Sequence, residues 1–88
     1  MRSWRIVFTK QAAKDAKKIR RAGLKPKVEV LIEILRRDPY QSPPSWEKLR
    51  GDLDGAHSRR INIHHRLVYQ ILEKKRTVKI IRMWTHYE

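Results

Sequence analysis

Cysteine is absent from this chain, so disulfides and thiolate chemistry are both excluded and nothing in its residues speaks for an oxidising compartment. Acidic residues are scarce: nine Asp and Glu stand against 22 Lys and Arg, leaving a net charge of +13 over 88 residues. No apolar run approaches the roughly 18 residues of a membrane span. The opening Met1-Arg2-Ser3-Trp4-Arg5-Ile6-Val7-Phe8 lacks the apolar stretch of a signal peptide. These absences lead to the expectation of a cytoplasmic chain with no membrane partner. There is also no G-x-G-x-x-G or P-loop pattern, and Ser42, Ser45 and Ser58 stand in no nucleophile-elbow context. His64 and His65, adjacent on an expected strand, point to opposite faces and make a poor metal pair. With so few carboxylates and no thiol, neither a metal nor any other cofactor is expected.

What is present is positive charge, with a sequence pI near 10.8. Such a chain repels itself and attracts polyanions, so nucleic acid or an acidic protein is the expected kind of partner. A hydrophobic content of 40% suffices for one modest core, and the length leaves no room for a second. The expectation is one domain over residues 1–88.

Along the chain, Trp4 to Thr9 is rich in aromatic and β-branched residues and reads as a short strand. Thr9 is a candidate N-cap for a helix from Lys10 to about Ala22, where Gly23 stops it. Its apolar face is thin: Ala12, Ala16 and Ile19. Pro26 suits the first turn of a second helix, whose stripe is Val28, Leu31, Ile32 and Leu35. Asp38-Pro39 ends it. A proline-rich connector over residues 39–46 has no periodicity. The remainder reads as strand: a short edge at Glu47-Lys48-Leu49-Arg50, then runs at Ala56–Ile63, Arg66–Leu72 and Thr77–Trp84. Turn chemistry over residues 52–55 and a polar loop at Glu73-Lys74-Lys75-Arg76 separate them. The order β-α-α-β-β-β predicts an α+β domain, its two helices packed on one face of a small, mainly antiparallel sheet.

Strand alternation sorts the charges. Arg66, Val68, Gln70 and Leu72 share one face, and the more apolar Leu67, Tyr69 and Ile71 take the other. Arg60, Arg66, Gln70 and Arg82 are then the candidates for an open basic face. Trp84 shares the parity of Arg82, and is either a stacking platform for an unpaired base or part of the core. One carboxylate, an arginine cluster and a histidine near the C-terminus are the parts required to cut RNA without a metal. A general base takes the proton of the ribose 2′-hydroxyl, a cationic clamp holds the phosphorane-like transition state, and an acid protonates the leaving 5′-oxygen. Arginine suits the clamp because its planar fork holds two phosphate oxygens and stays charged. Glu47 is the candidate base, Arg66 the clamp and His86 the acid or base. Read singly, each is more readily a surface charge, a solvated strand arginine or an inert terminal histidine, and Tyr87 is equally a stacking platform or an apolar end cap.

Taken together, Glu47 before a basic edge, Ser58-Arg59-Arg60-Ile61, His65-Arg66-Leu67-Val68-Tyr69 and the closing His86-Tyr87 resemble the YoeB/Txe toxins of the RelE superfamily. The resemblance runs over nearly the whole chain, and Trp84-Thr85-His86-Tyr87-Glu88 looks especially like the Txe branch. It implies a bacterial toxin that inhibits translation by entering the A site of the ribosome (30S/70S) and cleaving mRNA there. On that resemblance Glu47 is the general base, Arg66 the transition-state arginine and His86 the general acid, with Tyr87 positioning substrate. Arg50, Arg59 and Arg60 fall where the family carries basic RNA or ribosome contacts, and Lys48 and Arg82 complete the candidate RNA-binding set. Two residues depart from the pattern: Glu88 follows the terminal tyrosine, and Lys48 stands where some members have proline. The resemblance also implies a cognate acidic antitoxin, YefM/Axe-like, whose disordered segment masks the site and folds on binding. Operator DNA would be reached only through that complex. A non-catalytic RNA- or ribosome-binding module, or a subunit acting mainly in the repressor complex, is the alternative reading.

Overall fold

Each of the two helices begins and ends for a chemical reason visible in its caps. In the computed structural model, which describes residues 3–84, strand β1 (Arg5–Phe8) runs into helix α1 (Lys10–Arg21) through Thr9. The Thr9 hydroxyl accepts from the Ala12 amide at 3.0 Å and donates to the Ile81 carbonyl at 2.9 Å, tying the helix start to the last strand. At the other end Gly23 adopts φ +73°. Its amide reaches the Arg20 carbonyl while that of Leu24 reaches Ile19, a Schellman closure in which a left-handed residue satisfies the last carbonyls. Helix α2 (Lys25–Arg37) carries Pro26 in its first turn, where the missing N–H costs nothing. Its buried stripe is Val28, Leu31, Ile34 and Leu35, with Ile32 half-buried at the margin.

Four further strands follow: β2 (Glu47–Lys48), β3 (His57–Arg60), β4 (Arg66–Leu72) and β5 (Thr77–Arg82). They assemble in the order β1-β5-β4-β3-β2. The pairings β2–β3, β3–β4 and β4–β5 are antiparallel, and only β1–β5 is parallel, a pairing that requires a crossover and here spans both helices and three strands. The mainly antiparallel sheet is as expected, and the expected β-α-α-β-β-β order is present with the short edge β2 added as a fourth strand after the helices. The edge at Glu47 contracts to two residues, followed by a single 3-10 turn, Gly51–Leu53.

The core lies between the sheet and the helices, formed by Ile19, Leu31 and Leu35 against Leu67, Tyr69, Val78 and Ile80. The helices cover only part of that sheet face. Connector residues 39–46 cover the part beneath β3 and β4, held there by the side chain of Arg59. Tyr40 closes the outer end, its hydroxyl donating to the Glu73 carboxylate, a contact that pushes its pKa up to about 12.

Two sequence expectations change. β3 stops at Arg60 instead of Ile63, because the Asn62 carboxamide accepts from both the His64 and His65 amides and bends residues 61–65 into a loop. Asn62, His64 and His65 are therefore not strand residues, and Ile63 is 80% exposed. The second change is in β5. Val68 pairs with Arg82 but Tyr69 pairs with Ile80, so one extra residue bulges out at this point. The bulge breaks the simple parity of residues 78, 80, 82 and 84: Val78 and Ile80 are fully buried, while Arg82 sits across from Val68.

Candidate active site

β2, β3 and β4 deliver the acidic and basic candidates to one cleft. Glu47 is directly across from Ser58, Ser58 from Val68, and Arg60 from Arg66. Paired residues share a face, so Glu47, Ser58, Arg60 and Arg66 all rise from the sheet surface opposite Leu67 and Tyr69. With Ser45 and Trp46 they line a cleft of about 270 Å³. Glu47 Oε1 and Arg66 Nη1 stand 3.8 Å apart, the carboxylate side chain 68% exposed and the guanidinium side chain 20%. At that separation the two form an ion pair with no hydrogen bond between them. The carboxylate stays open to solvent and the arginine fork remains unsaturated. Two arginines and one carboxylate around a polar hollow make a receptacle for an anion with a base at its rim.

The remaining candidates are scattered. Lys48 is exposed and, by alternation in β2, sits across from His57 on the other face from Glu47. Arg50 is exposed just before the 3-10 turn. Arg82 is partly covered, its Nε 3.7 Å from Asp15 Oδ2. His86 and Tyr87 lie outside the described residues. Trp84 packs against the core and stacks on the His65 ring at 3.9 Å and 20°, so its ring is used within the fold.

Arg59 corrects the sequence reading. An exposed RNA contact was expected, but Arg59 is 0% exposed. Its Nε donates to the Tyr69 hydroxyl at 2.9 Å, and its two Nη groups donate to the carbonyls of Pro44, Pro39 and Gln41 at 2.7–3.0 Å. Sitting one residue from Arg60, it takes the opposite face and becomes the anchor of the connector. A guanidinium is suited to this because its fork serves several acceptors at once. In a run of two arginines on a strand, alternation alone says that one of them points inward.

Two other buried polar groups shape the surroundings. His57 lies under Trp46, with centroids 4.9 Å apart, and stacks on Tyr69 at 5.6 Å and 17°. Burial pushes its pKa below the ordinary histidine value, helped by the charges of Lys48 and Arg59. Asp15, on the thin apolar face of α1, is a fully buried carboxylate that the spacing of Ala12, Ala16 and Ile19 did not reveal. Burial by itself would raise its pKa. The amides of Met83, Gln11 and Trp84, together with the charge of Arg82, outweigh that and hold it below the usual carboxylate range.

Comparison with known proteins converges on one group. A family model described as a YoeB-like toxin of bacterial type II toxin–antitoxin systems matches residues 8–87. Toxin YoeB of Synechocystis is 40% identical over 62 residues, 70% of each chain. Among solved structures, a YoeB/ParE toxin from Agrobacterium tumefaciens superposes with a TM-score of 0.84 at 30% identity, covering 94% of this chain and 99% of the other. A chain of a YoeB–YefM complex from Staphylococcus aureus gives 0.79 at 32% identity, covering 96% and 98%. With its helices on one face of the sheet and Glu47 facing Arg66 on the other, this chain belongs to the YoeB-like toxins of bacterial type II toxin–antitoxin systems, within the RelE superfamily.

Proposed function

We propose that this toxin is a ribosome-dependent endoribonuclease that cleaves mRNA in the A site by metal-independent attack of a ribose 2′-hydroxyl. The supporting observation is the Glu47–Arg66 pair at 3.8 Å in an open cleft that also holds Arg60. Glu47 takes the 2′-hydroxyl proton as the 2′-oxygen bonds to phosphorus. Arg66, its fork redirected from Glu47 to the phosphate, carries the charge that develops on the non-bridging oxygens. The bond from phosphorus to the 5′-oxygen breaks, and His86 supplies the proton that oxygen needs. The products are a 2′,3′-cyclic phosphate and a 5′-hydroxyl. Tyr87 positions the substrate, and Arg60 with the outlying Lys48, Arg50 and Arg82 carries phosphate contacts. An acidic antitoxin like the YefM of the staphylococcal complex is the partner that the +13 charge suits, with operator DNA reached through that complex.

The test is primer extension on translated mRNA with wild type, Glu47→Ala, Arg66→Ala and His86→Ala. Loss of an acid or base is expected to cost about 10²–10⁴-fold in cutting. Three variants that cut like wild type would sink the assignment. If no variant and no wild-type chain cuts, while Arg60→Ala and Arg66→Ala weaken RNA affinity and each lower the salt slope by about 0.7–0.9, the chain is a binding module instead.

A further inference from the structure

Ser58 lies at the floor of the cleft and has no role in the chemistry above. Glu47 reaches Arg66 from β2 to β4, so their ion pair passes over β3, and the β3 residue directly across from Glu47 is Ser58. Ser58 is 1% exposed, and among the described residues its Oγ has no hydrogen-bond partner. A buried hydroxyl left unpaired is a destabilising feature that native folds keep rare. It lines the cleft where a carboxylate and two arginines meet. Among the described residues no histidine lines that cleft, and no nucleophile's part is assigned to the hydroxyl.

We infer that Ser58 is a positioning residue for Glu47 in the substrate-bound state, an inference that rests on Glu47 being the general base. In the free protein Arg66 holds the Glu47 carboxylate from across the cleft. When a phosphate takes the arginine fork, the carboxylate loses that counter-charge and requires another donor. Side chains directly opposed in an antiparallel pair have Cβ atoms about 4.5–5.5 Å apart, within reach of a serine hydroxyl and a glutamate carboxylate. A hydroxyl has a single proton to give. It therefore engages one carboxylate oxygen and leaves the other aimed at the ribose 2′-hydroxyl. The unpaired state of Ser58 in the free toxin is then the counterpart of a bond made when RNA is bound, which holds the carboxylate in the orientation that proton transfer from the 2′-hydroxyl requires.

The experiment compares wild type with Ser58→Ala, Ser58→Thr and the pair Glu47→Gln and Glu47→Gln/Ser58→Ala. Single-turnover cleavage of mRNA on ribosomes is measured across pH, alongside thermal unfolding of each purified toxin. Ser58→Ala is expected to unfold at the wild-type temperature or above it, because no folded-state hydrogen bond is lost. It should cut about tenfold more slowly, because the carboxylate is no longer held in line with the 2′-hydroxyl. Its apparent KM should stay within about twofold, and the acidic limb of its rate profile should move to higher pH. Ser58→Thr, which keeps the hydroxyl, restores most of the rate. In the Glu47→Gln background the alanine substitution adds no comparable loss. Equal losses in both backgrounds, an unchanged rate in Ser58→Ala, or a lower unfolding temperature that tracks the lost activity would each overturn the inference. A wild-type toxin that cuts nothing removes the nuclease reading and this inference together. A cutting wild type with an indifferent Ser58→Ala removes this one alone.

Discussion

Arg59 and Arg60 are neighbours of identical chemistry whose roles diverge because a strand turns successive side chains to opposite faces. Arg60 is exposed at the cleft. Arg59 is sealed beneath the connector, where it donates to three backbone carbonyls and a tyrosine hydroxyl. Composition and resemblance treated the pair alike, since nothing in an arginine's identity says which side of a sheet it will occupy. Removing the buried one leaves desolvated acceptors without donors, and each such group costs about 1–3 kcal/mol. Arg59→Ala is therefore expected to destabilise the fold by about 3 kcal/mol or more in urea unfolding. Arg60→Ala should stay within about 0.5 kcal/mol, as ordinary surface substitutions do. An Arg59→Ala variant as stable as wild type would show that the connector is held by something else.

At the level of elements, the start and stop signals of both helices were legible because they are local. Thr9, Gly23 and Pro26 act on amides and carbonyls within a turn of themselves. The end of β5 was not legible, because it is set by a residue 68 positions away. Asp15 reaches across from α1 to accept from the Met83 amide at 2.9 Å and the Trp84 amide at 3.2 Å. It thereby fixes where the chain leaves the sheet, just past the bulge that re-phases Arg82. Read along α1, Asp15 is merely a polar residue beside an apolar stripe. Asp15→Ala leaves two amides unpaired and removes the carboxylate facing Arg82, and it should cost about 2–4 kcal/mol. Asp15→Asn, which still offers one oxygen, should lose less. Chemical denaturation of the three proteins checks the order.

For the molecule as a whole, the buried His57 and Asp15 shape how it responds to acid. The folded pKa of His57 is depressed below the unfolded value of about 6.5. The unfolded chain therefore takes up that proton first. The stabilising contribution is complete above about pH 6.5 and is lost as pH falls toward the folded value. Asp15 is likewise depressed, from an unfolded value near 3.9, so its contribution is complete above that pH and disappears only as pH falls below it. Unfolding free energy measured from pH 7 downward is expected to decline in two stages. His57→Phe, which can keep the stacking on Tyr69, should abolish the first stage and leave the second. A single decline confined to low pH in the wild type would exclude the first.

By itself the sequence determined the family, the order of elements and the net charge from which a polyanionic partner is proposed, because residue identity and local capping are properties of the chain before it folds. The joint occurrence of Glu47, Arg66 and His86 was readable in the same way. Tertiary structure alone decided that Arg59 is an internal anchor instead of an RNA contact, and that Ser58 lies unpaired among the described residues beneath the Glu47–Arg66 pair. Those outcomes depend on strand register and on which segment covers each face. Register is set by hydrogen bonds between strands far apart in sequence, and a shift of one residue would exchange Arg59 and Arg60.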